Sequence, residues 1–297
     1  MSSKSISPED QFLGEHHVYE PHRIGLPRLG PYFRELWRRR GFAFELARTQ
    51  MHAANTDTVL GQAWLVLNPL LLASVYFLLV NVIAGGNRNL TFFAHLTAGL
   101  FLFTFITGSM SAGATSVTSS GRLILNTSFP RMLLPLSSTW LAFRRFLPTL
   151  VVYAVLHVLS GRAIGVHLLW AIPILALSIL LAAGLAMLIA TAQVYFRDTA
   201  SFLPYVIRIW LYVSPVLWLI EDARKAADDG SHGQAVLLAA QPYNPLYGVL
   251  GSWAEVLIEG HAPSWGLVVH MVAWSVGLLV VGGLVFMSRE REFSVRL

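Results

Sequence analysis

Two groups of arginines carry the clearest chemistry in this sequence. Arg38, Arg39, Arg40 and Arg48 form a dense cationic set, and Arg144 and Arg145 form a pair inside an otherwise apolar run. A guanidinium presents a rigid fork of N–H donors that matches paired oxygens on a phosphate or carboxylate, so either group suits an anion. An arginine within a bilayer is costly enough to need a cavity, a partner or an anion. A plainer reading exists for each group. The first set would be a positive-inside anchor, and the pair would sit at the interface if its span began near Phe146.

Other reactive chemistry is thin. There are no cysteines, which excludes disulfides, zinc-thiolate sites and Cys nucleophiles. No G-x-S-x-G or H-E-x-x-H occurs, and His16, His17 and His22 are a weak metal cluster in a segment without other order signals. A phosphate-cradling G-x-x-x-x-G-K-[ST] loop needs a lysine after glycine. The only lysines are Lys4 and Lys225, neither in that setting. No metal and no cofactor is expected in this chain, and any ATP and Mg must be bound by a partner.

The element that holds Arg144 and Arg145 is one of several membrane helices. The apolar fraction is 55%, only 12% of residues are charged, and the mean hydropathy lies well above zero. Crossing ~30 Å of hydrocarbon at ~1.5 Å per residue takes about 20 apolar residues. Six such runs appear, at about 62–83, 91–114, 134–159, 168–191, 202–220 and 266–287. The fold class is therefore an all-α integral membrane protein of six transmembrane helices. None of the 16 acidic residues falls within a run, which argues against ion-coupled transport. His95 and His157 could relay protons, although packing is the commoner role of a lone histidine.

Basic residues set the orientation. With a cytoplasmic N-terminus, Lys4, Arg23, Arg28, Arg34, Arg38, Arg39, Arg40, Arg48, Arg122, Arg131, Arg197, Arg289, Arg291 and Arg296 lie inside. Outside lie Arg88, Arg162, Arg224 and Lys225. Both termini are then cytoplasmic in a multi-pass inner-membrane protein. Residues 1–30 read as a flexible tail, 31–56 as an amphipathic interfacial helix with Gly41 weakening it, and 57–297 as one six-span transmembrane domain. The outer segment 221–265 holds two apolar pieces too short to cross, broken at Pro242 and Pro245, as re-entrant or interfacial elements are.

Four stretches in order carry a family resemblance: TVLGQAWLVLNPLL (58–71), LILNTSFPRMLLPL (123–136), VYFRDTASFLPYVIRIWLYVSPVLW (194–218) and YNPLYGVL (243–250). Together with six spans they resemble the permease subunits of ATP-binding-cassette exporters of lipid-linked polysaccharides, such as O-antigen, teichoic acid and cell-wall galactan. The resemblance covers most of the chain from about residue 31. It implies an N-terminal interfacial helix and external re-entrant gate helices over residues 242–259. It also implies a homodimer working with two copies of a separate ATPase subunit.

Roles follow from that resemblance. The cargo would be a polyprenyl-pyrophosphate-linked glycan, with Arg38, Arg39, Arg40, Arg48, Arg144 and Arg145 as candidate diphosphate ligands. Tyr76, Phe77, Trp210, Tyr212 and Trp218 are candidates for a glycan channel, with an interfacial aromatic belt as the alternative. Pro242, Tyr243, Asn244 and Pro245 would form the external gate. Arg122, Asn126, Thr127, Ser128, Phe129, Pro130 and Arg131 would couple to the ATPase, with Phe129 as an apolar plug and Pro130 fixing the chain direction. An ordinary helix-to-helix turn is the bland alternative. Export of a drug or small lipid is the competing function; a passive channel or a membrane transferase fits the residues less well.

Overall fold

The computed structural model describes residues 25–53, 60–83, 85–86, 89–162 and 164–296. The expected tail lies outside these up to residue 24. The chain opens with α1 (Leu29–Arg38) and α2 (Arg40–Ala53). The single helix expected over 31–56 is thus two, parted at Arg39, immediately before the Arg40-Gly41 step.

There follow α3 (Trp64–Ile83), α4 (Leu90–Ser116), the short α5 (Gly121–Asn126), α6 (Leu133–Leu159) and α7 (Ala171–Tyr195). Next come α8 (Thr199–Val213) and three short helices, α9 (Ile220–Asp228), α10 (His232–Ala240) and α11 (Tyr247–Ala254). The long α12 (Trp265–Arg289) and a terminal turn, α13 (Phe293–Arg296), complete the chain. Among the described residues five helices, α3, α4, α6, α7 and α12, are long and apolar enough to cross a membrane. The protein is an all-helical, membrane-embedded molecule.

The run expected to span at 202–220 behaves differently. Helix α8 has 15 residues and rises ~22 Å, short of the ~30 Å hydrocarbon core. It stops because Ser214 precedes Pro215: the proline ring disfavours helical backbone in the residue before it, and Ser214 is extended at φ −80°, ψ 151°. Hydropathy continues through Val216 and Leu217, but the helix does not. Val216 packs instead against Gly99 of α4, nine residues below that helix's start.

Helix α4 is the mast of the bundle. It is buried along nearly its whole length, and the Asn89 side chain caps its start by accepting from the Phe92 N–H at 3.1 Å. Small residues let its neighbours close in. A Cβ on Gly113 would strike the backbone of Ala186, and Ser109 donates to Thr139 Oγ1 at 2.8 Å. The small-residue spacing at 108–113 therefore serves packing within the chain at Ser109 and Gly113. Helices α7 and α12 meet backbone to backbone, with Gly184 against Leu278 and Gly282 against the Gly184 carbonyl.

Both described ends of the chain lie at one end of the bundle, called here the terminal end. Tyr32, Ile124, Met132, Phe286 and Phe293 share a small core there. The larger core fills the rest of the bundle.

Candidate functional site

At the terminal end α1 and α2 form a shelf. Glu35 pairs with Arg38 at 2.7 Å and also with Arg39, and these partners, Arg38 first, hold its carboxyl below the ordinary value. Arg39 also donates to the Ser128 carbonyl at 2.6 Å, which ties the shelf to the loop after α5. Arg40 stacks over Trp37 at 4.2 Å, and Arg48 lies 3.7 Å from Glu45. The four expected cations share one exposed shelf, and each already has a contact within the chain.

The loop itself is well defined. Asn126 Nδ2 donates to the Arg122 carbonyl at 2.8 Å, and Thr127 turns the chain into extended geometry. Phe129 is half-buried with its ring 5.2 Å from Phe42, and Pro130 is buried. Arg131 donates to the Glu290 carbonyl. The apolar side chain that faces outward is Leu125, 65% exposed. A shallow cleft of about 310 Å³ runs along residues 124–129 and Arg131. Sequence reasoning did not single out Leu125, because only tertiary packing decides which side of α5 is covered.

Further in, the two arginines of α6 diverge. Helix α6 runs unbroken from Leu133, so Arg144 and Arg145 lie ~17 Å along it. Arg145 lines a cavity of about 530 Å³ between α3, α4 and α6, with Trp64, Asn68, Thr104 and Thr149 also on its wall. Its Nε is buried with no hydrogen-bond partner among the described residues. Arg144 is half-buried and does not line that cavity.

The five expected channel aromatics also separate. Tyr76 and Tyr212 meet edge-on at 6.5 Å, while Phe77 packs on Phe93 at 5.2 Å. Trp210 donates to Asn244 Oδ1 at 2.8 Å, and Trp218 donates to the Tyr212 carbonyl at 3.2 Å. Around Tyr212 the face of α8 extends beyond what was expected. Leu203 and Leu211 are its buried residues, whereas Phe202, Tyr205 and Ile209 are about two-thirds exposed and Arg208 is exposed beside them. The spacing 202, 205, 209, 212 is a helical stripe, a signal present in the sequence once a helix is assumed.

At the broken end of α8 lies a buried polar knot. Asn244 accepts from the Trp210 indole and from the Leu246 N–H at 3.1 Å. It donates to Ser214 Oγ at 3.1 Å and to Gln241 Oε1 at 3.3 Å. Gln241 Nε2 donates to the Val213 carbonyl at 3.0 Å, satisfying an acceptor that the end of α8 leaves open. Trp274 and His270 of α12 reach the Pro242 carbonyl at 3.3 and 3.1 Å. Of the expected gate residues, Asn244 is buried and Tyr243 is exposed. Gln241 and Ser214 were not singled out by the sequence.

No family model matches the chain. Among curated proteins it is 26% identical over 262 residues to the O-antigen export system permease protein RfbA of Myxococcus xanthus, covering 88% of this chain and 97% of that one. Two Klebsiella pneumoniae proteins of the same name are 26% identical over 226 residues and 25% over 260. These alignments cover 74% and 86% of this chain and 83% and 95% of the relatives. The four motifs thus sit within a likeness that runs over most of the sequence: this chain is similar to permeases of the polysaccharide-export type.

Proposed function

We propose that this chain is the membrane subunit of an ATP-driven exporter that moves a polyprenyl-pyrophosphate-linked polysaccharide, O-antigen or galactan-like, out of the cytoplasm. The observation that carries the reading is the outward face of α8. A helix meant for lipid alone would not present Arg208, exposed midway along α8, together with the exposed Tyr205 and Tyr212. A face of aromatic rings and one cation suits a hydrated path, where sugars meet weak, repeated contacts. Two copies facing each other would enclose such a path.

In this reading α8, continued by residues 214–219, serves as the sixth crossing, and both termini lie in the cytoplasm of an inner-membrane protein. The turn at 241–246 caps the path from outside as a re-entrant gate. The shelf arginines and Arg145 give the diphosphate successive cations. Two copies of a separate ATPase would grip the terminal end at residues 122–131, since this chain has no nucleotide loop of its own.

The test is co-purification with a candidate ATPase, followed by ATP hydrolysis with and without lipid-linked glycan. Stimulation by the glycan is expected. Failure to bind any ATPase would sink the model, and stimulation by a small lipid alone would favour a different cargo.

A further inference from the structure

A second cavity, of about 280 Å³, lies at the opposite end of the bundle from both described ends of the chain. It is bounded by the last turns of α6, the start of α7, Trp253 in the last turn of α11 and Leu257 just after it. Its wall is apolar except near Tyr153 and His157. Tyr153 is only 4% exposed, and its hydroxyl is buried with no hydrogen-bond partner among the described residues. A buried hydroxyl left unsatisfied is costly, so a ligand that accepts its hydrogen bond is favoured there.

Arg162 stands just past the end of α6, within electrostatic reach of Tyr153, and its Nε is likewise buried without a partner among the described residues. Beside the cavity Val158 and Ile164 are well exposed, so the opening faces the surrounding bilayer. From the bundle end inward come a cation and then a hydroxyl donor about two turns of helix deeper, and the apolar chamber runs alongside them, its wall reaching from Ile164 and Val158 down to Leu150.

We infer that this cavity binds a glycerophospholipid from the leaflet opposite the terminal end. The phosphate rests at Arg162, an ester carbonyl accepts from Tyr153, and one acyl chain fills the chamber. The donor at ester depth selects the occupant: a polyprenyl phosphate has a phosphate and an apolar chain but no carbonyl for Tyr153. Trp253 and Leu257 form part of the wall, so the lipid braces the end of α11 and the turn after it against α6 and α7. This inference does not depend on the cargo proposed above.

The purified full chain in mild detergent, exchanged against phosphatidylglycerol and examined by native mass spectrometry, tests it. Retention should fall at least five-fold in Arg162→Ala and in Ala154→Trp, which fills the chamber, while Tyr153→Phe should lose part of it. Equal retention in these variants overturns the inference, as does equal binding of diacylglycerol, which lacks the phosphate. Displacement by undecaprenyl phosphate at equal concentration, or by inorganic phosphate alone, overturns it too. Should a variant unfold, the unaltered chain still decides. A phospholipid with a photoreactive acyl chain should label residues 150–175 or 253–257, and labelling confined to other segments overturns the site.

Discussion

The Tyr32 hydroxyl lies 2.6 Å from Glu290 Oε2, so the first described helix is pinned to the turn that follows α12 across 258 residues of sequence. Burial, and then the charge of Glu290, push the Tyr32 phenol well above its ordinary value, so it remains a donor throughout the physiological range. Arg131 reaches the same residue's carbonyl, which brings the loop before α6 into the clasp. A hydrogen bond to a charged group contributes about 1.5–3 kcal/mol. Tyr32→Phe should therefore lower the melting temperature in detergent and expose residues 25–53 to protease before the rest of the chain. Unchanged cleavage would show that the clasp does not hold the shelf.

Leu125 and Phe129 offer a contrast within one loop. Phe129 packs on Phe42, whereas Leu125 projects from the surface. Leu125→Asp should abolish capture of the ATPase with melting unchanged. Phe129→Asp should lower the melting temperature, because it places a charge against the α2 aromatic. If the two effects are reversed, Phe129 is the docking residue after all.

The two sides of α8 separate function from stability. Tyr205→Ala and Arg208→Ala should reduce glycan export several-fold at normal protein abundance, since both side chains are exposed. Leu211→Ala, on the buried side, should cost about 2–5 kcal/mol and reduce abundance instead. Parallel loss of abundance in all three would remove the case for a transport path here.

Asn244 ties the break in α8 to the turn between α10 and α11. Asn244→Ala leaves the Trp210 indole, Ser214 and the Leu246 N–H without their partner. At about 1–3 kcal/mol for each buried unsatisfied group the knot should loosen. Leakage of a small solute through reconstituted protein should rise. A tight membrane with a lowered melting temperature would mean that the knot supports the fold and not a closure.

His261, in the exposed loop before α12, is within 2.9 Å of Glu259 and of the Ala262 carbonyl at 2.8 Å. The Ala262 carbonyl first, and then Glu259, raise its value above that of a free imidazole. The sign follows: the contact is fully formed below the ordinary imidazole value and is lost as pH rises through the raised one. Histidine hydrogen–deuterium exchange should report an apparent value above that of free histidine, returning toward it in Glu259→Gln. Equal values in both proteins would dismiss the pairing.

Long apolar runs were legible because their signal is redundant. The ends of α3, α4, α6 and α12 fall within a few residues of expectation, since some 20 apolar side chains vote together. The end of α8 was not, because hydropathy sums Val216 and Leu217 with the helix while a single Ser-Pro step stops it. The break between α1 and α2 was expected as a weakness at Gly41 and falls at Arg39, where Glu35 and the Ser128 carbonyl hold the guanidinium. Arg144 and Arg145 were readable as out of place in apolar sequence. That Arg145 alone meets the cavity depends on a rotation of ~100° per residue around α6, which matters only once the neighbours are known.

The meeting of Gly184 with Gly282 sets where this protein can change shape. With backbone on backbone there is no side chain to swing aside, so α7 and α12 can part only by losing the whole seam at once. They form a fixed spine, with Gly113 and Ala186 extending it to α4. Motion is left to α3, which is barely buried, and to α8, α9 and α10, whose side chains are mostly exposed or half-buried; α11 stays with the spine, since its Gly248 lies against the Met271 backbone of α12.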